Sequence, residues 1–434
     1  MMQTIGEQLL NRRDQLVARG LNHQHPIFVL SGQGARLRDV NGREYIDLTS
    51  GIGVNNLGHN HPVVVEAVKR QAGELMHSCF QVGMYKSYLE VAERLHQLTP
   101  GQFDKKTFLA NSGAEAIEGA VKFARAYTKR DAVLTFQYSF HGRTFYALRM
   151  TGRAKPYRAG FGSLGGEVAR LPFPYAYRMT DGDAAACANQ VLARLDELFL
   201  TELPPEAFAA IVFEPILGEG GVVVPPEGFF TRLAERCRNA GIVVIADEVQ
   251  TGIGRTGWFA ASEAFGVNPD LFVYAKSLGF GLPLAAVTGR AEIIDALPPG
   301  GLGGTLGGNP LACAAAIAGL DAIQGAGVIF QAREKGRRVL ERLKHIQQGC
   351  ELVGDVRGLG LMIGVELVSD RMNRKPAVDE ARRVTDECRK RGVLVLCGGA
   401  FGNVIRLLPP LTIENSELDQ SLNTLSEALN YVSQ

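Results

Sequence analysis

The sequence predicts an α/β fold, with a large domain on a mostly parallel sheet and a smaller α+β domain from the chain's two ends. Three observations carry this. Between about 105 and 290, strand-like and helix-like patterns alternate, the rhythm of βαβ units. Strands such as "AAIVFEPI", "IVVIADEV" and "LFVYAKS" are apolar at successive positions, as a sheet covered on both faces requires. Two of these runs end on a charged residue, Asp247 and Lys276, where open parallel sheets collect their ligands.

The chain has 434 residues, more than one simple core usually holds. Its first element is "ARLRDVNGREYIDL", in which alternating residues flank Asn41-Gly42, a two-residue hairpin signal. "PVVVEAVKRQAGELM" and "YLEVAERLHQL" then carry apolar residues at helical spacing. "KTFLAN" leads into "SGAEAIEGAVKFARAYT", and "AVLTFQ" into "SFHGRTF". "AAIVFEPI" leads through a glycine-rich loop into "GFFTRLAERCRNAG". The dense glycines of "GGLGGTLGGNP" read as a loop before the helical "LACAAAIAGLDAIQ", and "QAREKGRRVLERLKHIQ" reads as a charged helix. The expected domains are 1–60, packing with the small domain, 61–325 and 326–434.

Forty-six basic residues balance forty-five acidic ones, so no global charge calls for nucleic acid or an anionic membrane. Seven scattered cysteines, none closer than nine positions to the next, show neither zinc spacing nor a disulfide framework and point to a reducing, cytoplasmic setting. "MMQTIGEQLLNRRDQLVARG" lacks an apolar stretch of signal-peptide length. "HNH" at 59–61 has no further clustered ligands, so no metal is expected. "GLGLMIG" at 358–364 spaces its glycines loosely like a dinucleotide fingerprint but has no helix pattern after it.

Lys276 alone is compatible with a solvated strand end, or with an amine made nucleophilic by a desolvated site. Asp247 could cap a helix, or keep a heteroaromatic nitrogen protonated, since an adjacent opposite charge favours the charged form. "ANSGAEA" adds a strand, then Ser112-Gly113-Ala114, then a helix whose exposed amides suit a phosphate. A lysine, an aspartate and a phosphate cradle together are what pyridoxal 5'-phosphate demands.

These motifs resemble those of class III, fold-type I pyridoxal-phosphate aminotransferases, and are most similar to the 4-aminobutyrate aminotransferases. The likeness runs through "GIGVNNLGHNHP", "SGAEAIEGAVKFARA", "HGRT", "EPILGEGG", "IADEVQTGIGRTG", "AKS", "PPGGLGGTLGGNPLA" and "GNVIRLLPPLTI". It implies that Lys276 forms a Schiff base with the cofactor and shuttles the substrate proton, while Asp247 holds the ring nitrogen. Val249 packs on the ring, Gln250 bonds its phenolic oxygen and Phe140 stacks on it. Ser112, Gly113 and Ala114 cradle the phosphate, His141 and Glu214 join the cofactor set, and Thr305 contributes from a partner subunit. The resemblance thus implies a homodimer with shared sites, and leaves a tetramer open.

For substrates it implies an amino donor and a keto-acid acceptor. Arg143 would grip the donor's distant carboxylate, and Arg406 the α-carboxylate of the acceptor. Glu219 would neutralise Arg406 when a donor without an α-carboxylate is bound. Ile52 stands where related ornithine enzymes carry tyrosine, which favours an unadorned carbon chain such as 4-aminobutyrate. Leu217, Leu282 and Leu306 depart from the family's usual residues, so 5-aminovalerate, ornithine and acetylornithine stay open, as does a class III racemase needing no keto acid.

Overall fold

The computed structural model describes residues 4–325 and 327–434. Its central sheet has seven strands, labelled in chain order: β1 (Lys105–Ala110), β2 (Ala132–Phe136), β3 (Val168–Leu171), β4 (Phe208–Phe213), β5 (Val243–Asp247), β6 (Leu271–Tyr274) and β7 (Ala285–Arg290). Across the sheet they run β1-β7-β6-β5-β4-β2-β3. β2 to β6 are mutually parallel, whereas β7 pairs antiparallel with both β6 and β1. Every residue of β2, β4, β5 and β6 is buried, as a sheet covered on both faces requires. One core cluster includes Phe136, Phe213, Phe229 and Phe272; another includes Ile117, Val121, Val212 and Val273.

Helix α1 (Gly113–Thr128) follows β1 directly. Its small and apolar residues Ala116, Ile117, Ala120, Val121 and Ala124, at three- and four-residue spacing, form the stripe buried on the sheet. Among the elements absent from the sequence reading are β3, β7 and the helices Ile5–Leu16 and Ala184–Thr201. The four residues of β3 are too few to show a period, and the 18-residue helix Ala184–Thr201 follows a turn-rich stretch capped by Asp183.

The Asn41-Gly42 hairpin forms as expected, with Arg38 opposite Glu44 and Gly42 at φ 86°. Its strand Glu44–Asp47 pairs in parallel with Val393–Leu394, so the two ends of the chain share one small sheet. A second C-terminal sheet is antiparallel, built around Met362–Asp370, Val353–Leu359 and Val404–Leu407. "GLGLMIG" is the hairpin turn joining the first two of these strands. Residue 326, where the sequence reading begins its C-terminal domain, lies outside the described residues, as do residues 1–3. Among the described residues, no single helix is long and apolar enough to cross a membrane.

Candidate active site

A cavity of about 450 Å³ opens beyond the carboxyl ends of the parallel strands. Asp247 is the last residue of β5, and Lys276 comes two residues after β6. Both line the cavity. Lys276 has φ 45°, a left-handed backbone that a side chain rarely adopts, because the chain must reverse there before antiparallel β7. Ser277 fastens the reversal by donating from Oγ to the carbonyl of Gly53 at 2.9 Å.

Asp247 is held from two sides. Its Oδ2 lies 2.8 Å from Nδ1 of His141, and its Oδ1 accepts from the amide of Val249 at 3.1 Å. The second ring nitrogen of His141 lies 3.0 Å from Oγ1 of Thr135, the penultimate residue of β2. Glu214, just after β4, accepts from the amides of Phe140 and Gly218, both at 2.8 Å. Burial pushes its carboxyl up to about 7; His141 opposes the rise and Asp247 adds to it.

Ser112 caps α1, its Oγ accepting from the amide of Glu115 at 3.3 Å. The first intrahelical bond is Ala116 N–H to Ser112 carbonyl, so the amides of Gly113 and Ala114 precede it and face the cavity end of the helix. A Cβ on Gly113 would stand 3.1 Å from both methyls of Val249, tighter than ordinary contact, so glycine keeps this cradle open.

On the substrate side, the Arg143 guanidinium lies over the rings of Tyr157 and Phe140, 4.8 and 5.7 Å from their centres. Burial, then the Glu219 carboxylate, pushes the Tyr157 phenol up. Arg406 on strand Val404–Leu407 is 3 % exposed, and its Nη1 donates to Oε1 of Glu219 at 2.8 Å and to the carbonyl of Gly218 at 3.2 Å. Against the upward push of burial, Arg406, then Lys276 and Arg143, hold the Glu219 carboxyl below its usual range. Burial pushes Lys276 down, against the opposing pull of Glu219, Asp247 and Glu214.

Of the residues singled out from sequence, Ser112, Gly113, Ala114, Phe140, His141 and Arg143 line the cavity, as do Glu214, Glu219, Asp247, Val249, Gln250 and Lys276. Arg406 reaches it through Glu219. Ile52 and Thr305 do not line the cavity of their own chain; both are exposed, and Ile52 has φ 67°. Leu282 lines the cavity, Leu217 is fully buried in the core and Leu306 is exposed. Sequence reasoning gave no role to Tyr157 or Thr135. Tyr157 stands in the π-helical turn Ala154–Arg158, too short to show a period, and Thr135 is a polar residue inside an otherwise apolar strand, a signal that could have marked it.

The residues present fit pyridoxal phosphate. Oε1 of Gln250 is buried without a partner, an orphan that costs free energy unless something answers it, and the cavity falls within the usual range for small-ligand sites. An acid at a sheet end, a desolvated lysine facing it and a helix N-terminus between them define a pyridoxal-phosphate-dependent transferase. The description "Aminotransferase class-III" matches residues 17–429, and the chain belongs to that family. It is 44 % identical over 428 residues to the 4-aminobutyrate aminotransferase of Escherichia coli, covering 99 % of each. It is 43 % identical to the 5-aminovalerate aminotransferase of Pseudomonas aeruginosa, covering 98 % of this chain and 99 % of that one. A solved amine transaminase from an uncultivated Pseudomonas species, in its pyridoxal-phosphate-bound form, superposes with a TM-score of 0.87 at 33 % identity, over 93 % of this chain and 95 % of that one.

Proposed function

We propose that the protein transfers the terminal amino group of a short ω-amino acid, 4-aminobutyrate foremost, to 2-oxoglutarate by a ping-pong route, as a cytoplasmic homodimer. The observation that carries this is the Glu219–Arg406 pair, whose glutamate lines one cavity with Arg143. It is a removable counter-charge beside a buried arginine, which suits a site that must accept one substrate with an α-carboxylate and one without.

Ser112, Gly113 and Ala114 would hold the cofactor phosphate, Asp247 the ring nitrogen, Gln250 the phenolic oxygen, and Val249 and Phe140 the ring faces. His141 and Glu214 orient this set by bonding Asp247 and the Phe140 amide. The cofactor supplies an electron sink for the bond being broken at the amine-bearing carbon. Burial keeps the Lys276 amine a ready base, so Nζ takes the proton from that carbon and later returns it. Arg143 binds the donor's far carboxylate while Glu219 neutralises Arg406; with 2-oxoglutarate, Glu219 moves aside and Arg406 takes the α-carboxylate.

Thr305 and Ile52, exposed in one chain, belong in this reading to a site completed across the subunit interface. The division at about 60 and 325 is part of the same proposal, supported by the shared sheet of residues 44–47 and 393–394. Purified protein should absorb in the near-visible, and borohydride should fix the cofactor on Lys276. Mixed with 4-aminobutyrate alone, it should lose that absorbance and regain it on adding 2-oxoglutarate. Protein that stays colourless with added cofactor, or that responds to no ω-amino acid, would refute the reading.

A further inference from the structure

Away from the active site, three arginines converge without a counter-ion. Arg149 is in the last turn of the short helix Phe145–Met150, Arg158 is the last residue of the π-helical turn Ala154–Arg158, and Arg170 is on β3. All three are half-buried. Among the described residues none of them forms an ion pair, and the Nε atoms of Arg158 and Arg170 are buried with no hydrogen-bond partner. The bonds the cluster does make go to backbone carbonyls: Arg170 donates to that of Arg149, and Arg149 to that of Gly166 at 3.4 Å. Burial, then Arg158 and Arg149, push Arg170 down to about 10, and burial, then Arg149, pushes Arg158 down. Unpaired buried cations are costly, and like charges gathered in one place add to the cost.

Beside the cluster is a cavity of about 370 Å³, lined by Arg149, Arg158 and residues 162–166, which shares no lining residue with the active site. Its walls offer guanidinium N–H groups, the Ser163 hydroxyl and loop amides, and no carboxylate. Guanidinium forks match the paired oxygens of a tetrahedral oxyanion.

We propose that Arg149, Arg158 and the 162–166 loop, with Arg170 adding its charge from outside the lining, form a binding site for a dianionic oxyanion of the phosphate class. Arg158 directly follows Tyr157, whose ring lies under the cavity-lining Arg143, so the occupant would steady that contact. The ligand is either free phosphate or the phosphoryl group of a small metabolite.

The test uses the cofactor-loaded full-length protein, so that the phosphate cradle at Ser112–Ala114 is already filled. Calorimetric titration with inorganic phosphate at low ionic strength should show saturable binding, weakened roughly tenfold or more in Arg158→Gln, which loses charge-assisted hydrogen bonds, and by less in Arg170→Gln, which removes a cation beside the cavity. Phosphate should also raise the melting temperature of the parent, whereas sodium chloride of equal ionic strength should not. In phosphate-free buffer both variants should melt at or above the parent, because each removes a like charge. Glycerol phosphate titrated in parallel separates the sources: tighter binding of the ester assigns the site to a metabolite, and binding of phosphate alone assigns it to the ion. Absence of saturable binding by either, binding undiminished in both variants, or a lower phosphate-free melting temperature in both would overturn the proposal.

Discussion

The imidazole of His141 and the carboxylate of Asp247 lie 2.8 Å apart with both side chains almost fully buried, 0 % and 3 % exposed. The acid therefore does not stand alone at its strand end: Thr135 holds the far side of the ring, and the Val249 amide takes the other carboxylate oxygen. Asp247→Asn keeps the shape but removes the charge that would hold a ring nitrogen protonated. Steady-state assays should show kcat lowered on the order of 10²- to 10⁴-fold, the usual worth of a positioned acid–base partner. Thr135→Val should act through His141 and cost less than Asp247→Asn.

Glu219→Ala leaves Arg406 buried and uncompensated whenever the donor lacks an α-carboxylate. The value of kcat/KM for 4-aminobutyrate should fall roughly a hundredfold, and that for glutamate, which brings its own counter-charge, by much less. Half-reaction kinetics with the two donors measure this directly. Equal losses would refute a switching role.

The raised carboxyl of Glu214 makes a prediction about pH. Its folded value of about 7 lies above the 4.5 of an ordinary glutamate, so between those limits the native state binds more protons than the unfolded chain. This contribution is present below about pH 4.5 and is lost as pH rises through 7, a change on the order of 3 kcal/mol. Denaturant titrations of cofactor-free protein from pH 5 to 7.5 should show the loss, and Glu214→Gln, which cannot ionise, should flatten that part of the profile.

A Cβ added to Gly218 would run into Oε1 of Gln250, with Oε2 of Glu214 only 3.3 Å away. Gly218→Ala should therefore displace the Gln250 amide and weaken cofactor retention, read as a higher pyridoxal-phosphate concentration for half-saturation. Stability should change little, because the added methyl meets a side-chain end facing the cavity.

Outside the cavity lining, Glu366 on strand Met362–Asp370 is fully buried and receives Nη1 of Arg357 and Nε of Arg178, both at 2.7 Å, together with the hydroxyl of Tyr175. Glu366→Ala leaves Arg178 without a carboxylate and Arg357 with Asp355 alone, and should cost about 3 kcal/mol in denaturant titrations. The aminotransferase rate measured well below the melting point should change far less.

The sequence made the cofactor side of the site legible because its residues sit at element boundaries. Asp247 terminates an apolar run and Lys276 follows another, so strand assignment alone placed both at one sheet edge. Ser112 to Ala114 were readable as a cap. The Arg143–Tyr157 stack was not, because it joins residues fourteen apart across two elements too short to show a period, Phe145–Met150 and Ala154–Arg158. The direction of β7 was equally hidden, since "LAAVTGR" is as apolar as its parallel neighbours and burial alone does not report strand sense. Ile52 and Thr305 took their roles from resemblance, and one chain leaves both facing outward.

That antiparallel strand also governs when the site can exist. β1, which carries the helix cradle at its end, lies at the sheet's edge, and β7 is its one strand neighbour among the described residues, with Ala110 opposite Ala285. A nascent chain emerging from the ribosome therefore has the cradle's sequence long before it has the strand that fixes it. Pairings this distant along the chain form slowly and late. The cradle must wait for residue 290 of 434, so the vitamin-derived group joins a chain already two thirds made and cannot template the early steps of its folding.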